Sequence, residues 1–290
     1  MSLVGKVLQS QRSKGVRDMS VRFGEQSWVQ LEEHIARQSL LILPVGTTEE
    51  HGPHLPVDTD ARIAEEYGTR LARALADEIP LLNMDTIRYG YSMSVMRQWP
   101  GTIVVGSRTF IDLVSDICRS VLDMGFSKLV MLDCHGHHNG LLTTVSRDLC
   151  DACDKSVAIM SPAAMSRDTF CEIRKSGLGG ACHACEWETS VMLHISPELV
   201  DMSRATDEDT IRYHSEFVAG DSFAGRQMVT WSTWYLQKSK SGTYGTPSFA
   251  SAETGRLIMD AAVENGARFL REFYQHETLL RRNGRESKAL

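Results

Sequence analysis

The stretch LLILPVGTTEEHGPHLPVDTD, Leu40–Asp60, decides the fold. Its first six residues, Leu40–Val45, are an unbroken apolar run of strand length that stops at Gly46. That pattern belongs to a strand covered on both faces, because a strand with one wet face would alternate. The character then reverses. Glu49, Glu50, His51, His54, Asp58 and Asp60 crowd the segment that follows. In a parallel sheet the loops leaving the C-terminal strand ends converge on one edge, where binding sites form, so this loop is the first place to look for chemistry.

Working outward, the elements alternate. Ile63, Ala64, Tyr67, Leu71, Ala74 and Leu75 follow helical spacing between Ala61 and about Asp77. Phe110, Leu113, Val114, Ile117, Val121 and Leu122 mark a second amphipathic helix that ends near Gly125. A second buried strand, KLVMLDC from Lys128 to Cys134, follows at once. A helix from about Gly140 to Cys153 and a third strand, SVAIMS from Ser156 to Ser161, continue the series. Strand and helix in alternation imply an α/β fold with a mostly parallel sheet covered on both faces. A last helix from about Ala252 to Gln275 should pack on that sheet. With no repeat, low-complexity tract or linker, one domain over residues 1–290 is expected, its first 20 or so residues an irregular arm.

Composition narrows the function classes. The 290 residues are 42% hydrophobic, ample for a core, and carry a formal net charge of -6 without a basic run, which argues against nucleic-acid binding. The opening MSLVGKVLQSQRSKGVRDMS lacks the apolar centre of a signal peptide, and no apolar run reaches the roughly 18 residues of a membrane span. No membrane partner and a cytoplasmic location are therefore expected. Seven cysteines in a chain of this size read as reduced thiols. The pairs Cys150/Cys153 and Cys182/Cys185 are too far apart in sequence for the usual zinc ribbon.

The second strand also runs into ligand-type sequence, His135-Gly136-His137-His138-Asn139. Five of the ten histidines lie in these two loops. Imidazole and carboxylate are the donors that hold zinc, manganese or iron, and paired metals need a carboxylate between them. Glu49, His51, Asp60 and His135 supply that mixture. Taken singly, Glu50, His54, Asp58 and His138 read as turn formers or solvated surface residues. A third segment, His183-Ala184-Cys185-Glu186-Trp187-Glu188-Thr189-Ser190, enters a further helix. Glu186 and Glu188 cannot share one helical face, so one of them should reach the site, while Glu188-Thr189-Ser190 could instead cap the helix. The irregular stretch from Ser203 to Ser241, with Trp231, Trp234 and Tyr235, suits a lid or a subunit contact.

At these segments the chain resembles the creatininase family, whose first motif, roughly L-P-x-G-x-x-E-x-H-G-x-H-L-P with an Asp shortly after, is matched by LPVGTTEEHGPHLPVDTD. The resemblance extends through Tyr89-Gly90, Pro100-Gly101-Thr102, HACEWETS and Tyr244-Gly245. It implies a three-layer α/β/α sandwich, commonly a homohexamer, and a hydrolase that cuts C–N amide bonds with a hydroxide bridging two divalent ions, zinc or manganese with iron possible. On that pattern Glu49 and His135 hold one ion, His51 the other, Asp60 bridges both, and His183 relays protons to the leaving nitrogen.

The departures matter as much. Where creatininase proper carries a carboxylate ligand two residues after the ligand histidine, this chain has His137. The fifth ligand is thus His137 or Glu188, with Glu188 preferred and His137 then a catalytic residue of the same loop. Aromatic slots that line the family's pocket hold Gly136 and Gly179, so creatinine should be a poor substrate and a wider amide, formamide or small peptide a better one. Two other readings stay open: a catalytically silent metal-binding or assembly homologue, and a mononuclear hydrolase.

Overall fold

A computed structural model describes residues 20–153, 155–208, 214–236 and 239–276. The N-terminal arm expected from the sequence falls mostly on residues 1–19, outside the described residues. Strand β1 (Leu40–Val45) is the sheet's second strand, between β2 (Leu81–Asn83) and β3 (Lys128–Asp133), and β4 (Ser156–Met160) closes the order β2-β1-β3-β4. All three pairings are parallel. Between the strands run helices α1 (Trp28–Ala36, before β1), α2 (Thr59–Leu75), α3 (Ser107–Asp123) and α4 (Asn139–Cys153). After β4 come α5 (Pro162–Met165), α6 (Arg167–Ile173), α7 (Glu186–Ile195) and α8 (Ala252–Gln275). Two short strands, β5 (Ala181–His183) and β6 (Tyr244–Gly245), pair antiparallel apart from the main sheet.

The strand pleat sorts side chains into two cores. Leu40, Ile42, Val130 and Leu132 enter one, with Tyr67 and Leu71 of α2, Val191 and Met192 of α7, and Ile258, Ala262 and Leu270 of α8. Leu41, Leu43, Val45, Leu129 and Met131 enter the other, with Phe110, Val114, Cys118 and Val121 of α3 and Leu142, Val145 and Leu149 of α4. Alternate residues of an apolar strand thus serve opposite helical layers, so the run contains no polar position. This is the three-layer α/β/α arrangement.

Proline inside an inner strand would normally cost a ladder bond. Here Pro44 only accepts, from the Ile87 amide at 2.9 Å, on the side where β2 has already ended at Asn83. Two close backbone approaches lock the helices that matter for function. A side chain on Gly46, just past β1, would meet the Ala61 backbone of α2 at 2.6 Å. One on Gly255 of α8 would meet the Ser190 carbonyl oxygen of α7 at 1.9 Å. Tyr67 ties α2 to α8 by donating to the Ala262 carbonyl at 2.8 Å.

Several elements differ from the sequence expectation. Strand β2, helix α1 and the α5–α6 pair were not anticipated, the first because three residues carry no readable period. Cys150 and Cys153 lie on α4, and among the described residues no metal-donor group includes a thiol. No helix of the described residues is long and apolar enough to cross a membrane. Gly46→Ala should cost about 1–3 kcal/mol, because the contacted atoms are backbone and cannot rotate away; urea unfolding measures this, and an unchanged midpoint would contradict the contact.

Candidate metal centre

Strands β1 and β3 end side by side, with Val45 opposite Asp133 and Cys134 donating to the Val45 carbonyl at 3.0 Å. Both ligand-rich loops therefore start from neighbouring points on one sheet edge. The first loop closes on itself through Glu49 N to the Val57 carbonyl at 2.9 Å, then enters α2, whose first turn carries Asp60 at 2% exposure. The second is a tight turn in which the His135 amide donates to Asp133 Oδ1 (3.1 Å) and the His138 amide to the His135 carbonyl (3.0 Å). The third arrives from the other side. After β5, buried Ala184 adopts a left-handed conformation (φ 50°), a strained turn for a residue with a Cβ, and α7 starts at Glu186.

The three segments converge. Donor atoms of Glu49, His135 and His137 lie within 4.8 Å of one another, and so do those of His51, His183 and Glu188. Asp60 stands between the groups, Oδ2 at 2.9 Å from His135 Nδ1 and Oδ1 at 3.2 Å from His51 Nε2. His137 and Glu188, treated as rivals in the sequence reading, fall into different groups. Glu188 also caps its helix, accepting from the Cys185 amide at 3.2 Å, so the two readings of that residue are compatible. Glu186 turns away to accept from the Lys175 and Ser176 amides at 2.9 and 2.8 Å.

Backbone carbonyls fix two of the imidazoles. A carbonyl only accepts, so His51 Nδ1 carries the proton it donates to the Glu49 carbonyl at 3.0 Å, and His183 Nε2 the one it donates to the Glu50 carbonyl at 2.7 Å. In the neutral ring His51 Nε2 then presents a lone pair to an Asp60 oxygen 3.2 Å away. Two acceptors at that distance repel unless a proton or a cation sits between them. Glu49 Oε2 and His135 Nε2, both buried, make no hydrogen bond, while Glu49 Oε1 accepts from the Ser92 hydroxyl. A buried carboxylate oxygen without a donor is costly, and a divalent cation satisfies it.

The electrostatics agree. Burial alone would push the His135 imidazolium down, but Glu49, Asp60 and Asp133 overcome it and raise its pKa to about 9. Burial likewise opposes the charge on His51, yet Asp60, Glu188 and Glu49 hold its pKa well above the ordinary value. Burial works against ionised Asp60 as well, and His51 and His135 outweigh it, holding the carboxyl below the usual range. Protons on the histidines and a bound cation are alternative ways to neutralise the same carboxylates. The residues present fit a divalent metal.

A family profile described as Creatininase: Creatinine amidohydrolase matches residues 24–270. The chain belongs to the creatininase family. It is 32% identical over 235 residues to the mycofactocin precursor peptide peptidase of Mycobacterium tuberculosis, covering 79% of this chain and 83% of that one. To the creatinine amidohydrolase of Pseudomonas putida it is 28% identical over 269 residues, covering 87% and 97%. A solved creatininase described as of zinc–zinc type superposes with a TM-score of 0.74 at 26% identity, covering 89% of this chain and 99% of its own; a manganese creatininase gives the same score and identity, covering 89% and 100%. The chain is an amidohydrolase of this family, an enzyme acting on C–N bonds.

The notable residues here are those that a reading of ligand types passes over. Glu50, His54 and His138 are 4%, 2% and 0% exposed, so none is a solvated surface residue, although Glu50 does serve its turn, Oε2 accepting from the Gly52 amide at 2.9 Å. Glu50 lends its carbonyl to His183, His138 stacks on Phe110 with ring centres 4.4 Å apart, and His54 Nε2 lies 2.9 Å from Thr189 Oγ1. Asp58 is partly exposed and pairs with Arg62 at 2.7 Å. Trp234 packs edge-on against His137 at 4.9 Å and Tyr244 at 5.1 Å, covering the centre from within the same chain, whereas Trp231 is exposed. Gly136 lines a cavity beside the centre, and a side chain there would meet nothing within 4 Å. Gly179 does not line it; its amide donates to Asp221 Oδ2 at 2.9 Å.

Burial, and then the neighbouring His51 and His183, lower the His54 pKa from 6.5 to about 4. The unfolded chain therefore binds a proton between those values that the folded chain does not. His54 contributes full stability above pH 6.5 and loses it as pH falls toward 4, by about 3 kcal/mol in all. The Tm of His54→Gln should accordingly fall less than that of the parent between pH 6.5 and 4, and parallel curves would refute the assignment.

Proposed function

We propose that the enzyme binds two divalent ions, zinc or manganese, and uses them to hydrolyse an amide in a peptide-like substrate wider than creatinine. Glu49, His135 and His137 would hold one ion and His51 and Glu188 the other, with Asp60, which lies between the two groups, available to both. The observation that carries the reading is the short approach of His51 Nε2 to Asp60 Oδ1, 3.2 Å, with the Nδ1 proton of the ring committed to the Glu49 carbonyl, so that a proton or a cation must lie between them. Two separate donor groups, rather than one, support two ions. A divalent pair supplies a nucleophilic water near neutral pH and polarises the scissile carbonyl.

The protein's own groups do the rest. His183 has Nε2–H fixed by Glu50, which leaves Nδ1 as the nitrogen that can take a proton and pass it to the leaving amine. His183 thus sits with His51 and Glu188 as the proton carrier of that group. Ser92, donating to Glu49 Oε1, turns the other oxygen of that carboxylate toward His135, 3.5 Å away. Trp234 and Tyr244 keep water from the His137 and His183 side.

Relatives named for a precursor peptide and for creatinine put both a peptide and a cyclic amide within the family's reach. Open space at Gly136, on a cavity of about 310 Å³, favours the larger substrate here. A homohexameric, cytoplasmic enzyme completes the proposal. Elemental analysis of the purified protein should find about two ions per chain, and Asp60→Ala should lose them together with amide hydrolysis. Unchanged metal content in that variant would overturn the assignment. The metal-replete enzyme should process creatinine at least about 100-fold less efficiently than a short peptide amide; robust creatinine turnover would rule out the wider pocket.

A further inference from the structure

The cavity beside the centre is asymmetric in charge. Its buried end is formed by His135 and Glu188, one from each donor group, and its walls by Trp187 and Phe223. Arg167, the first residue of α6, lines it from the exposed side and is the one arginine or lysine on its surface. Several arginines of the protein are paired with carboxylates, Arg62 with Asp58, Arg174 with Asp221 and Arg271 with Glu78. Arg167 is not. Among the described residues its guanidinium makes one hydrogen bond, from Nη1 to the Ser222 carbonyl at 3.2 Å, and no ion pair.

We propose that Arg167 binds a carboxylate of the substrate, so that the amide cut at the centre belongs to an acid such as a peptide with a free C-terminus. The inference rests on the amidohydrolase reading given above and narrows its substrate class. A guanidinium held at one nitrogen by a backbone carbonyl keeps its remaining donors in the planar fork that matches a carboxylate. The apolar walls between Arg167 and the centre suit a hydrophobic side chain. Asp133 and Glu188, which also line the cavity, would repel an anion that had no such counter-charge. A neutral cyclic amide has nothing to offer this arginine.

The test uses the metal-replete protein with reduced-amide dipeptide analogues ending in leucine or phenylalanine, which cannot be hydrolysed, each as free acid and as C-terminal carboxamide. Calorimetry should show the acid binding about 10- to 100-fold tighter than its amide, the range expected of a charge-assisted pair. Arg167→Gln should bring that ratio close to one, and Arg167→Lys, which keeps a point charge without the fork, should retain part of it. With cleavable N-acetyl dipeptides the acid-over-amide preference in kcat/KM should collapse in the same order. Equal binding of acid and amide by the parent, or a preference that survives Arg167→Gln, overturns the proposal. An acid preference that depends on Arg167 in a protein that hydrolyses no amide would support the subsite and refute the catalytic reading instead.

Discussion

Two parallel strands that end in register are the constraint on which this site depends. Because Val45 lies opposite Asp133, the loops after β1 and β3 leave the sheet as neighbours and run in the same direction. Gly46 then lets the first turn of α2 descend onto the strand end, and that descent puts the Asp60 carboxylate between His51 and His135. A side chain at Gly46 would lift the helix and with it the one carboxylate that touches both donor groups.

Backbone, more than side chains, sets the orientation of the imidazoles. Consecutive carbonyls, of Glu49 and Glu50, take the ring protons of His51 and His183, residues that arrive from opposite sides of the centre. Carbonyl partners fix a tautomer as firmly as carboxylates do, and they add no charge. That matters here because Glu49, Asp60, Asp133 and Glu188 already make the centre strongly anionic, as the raised pKa values of His51 and His135 register. Arg167 is the cation on the cavity side, exposed and available to the substrate carboxylate proposed above.

Much of this was legible in the sequence, for a definite reason. Apolar runs at Leu40–Val45 and Leu129–Leu132, of strand length and alternating with helical segments, read as doubly covered parallel strands, and ligand-type residues directly after both then meet at the same edge. Helix α8 was readable to its ends because its apolar period is long and Ser251 caps it. What escaped was whatever depends on partners remote in the chain. His54 is buried because Thr189, 135 residues later, receives its ring nitrogen, and His138 because Phe110 offers a face to stack on. Local sequence says nothing of either partner. Strand β2 was missed because it consists of three residues beside a strand whose Pro44 needs no donor from it. Nor can sequence order show that His137 and Glu188 stand in separate donor groups rather than compete for one position.

The tight seat of α7 against Gly255 ties the centre to the far end of the sequence. Glu49, Asp60, His135 and His137 all lie in the first half of the sequence, on α2 or in the loops that follow β1 and β3. His183 and Glu188 come later, and the helix that carries Glu188 is packed in place by α8, near the end of the chain. The two donor groups therefore differ in how much of the chain they depend on: one is complete within the first half of the sequence, and the other is seated only by the last helix.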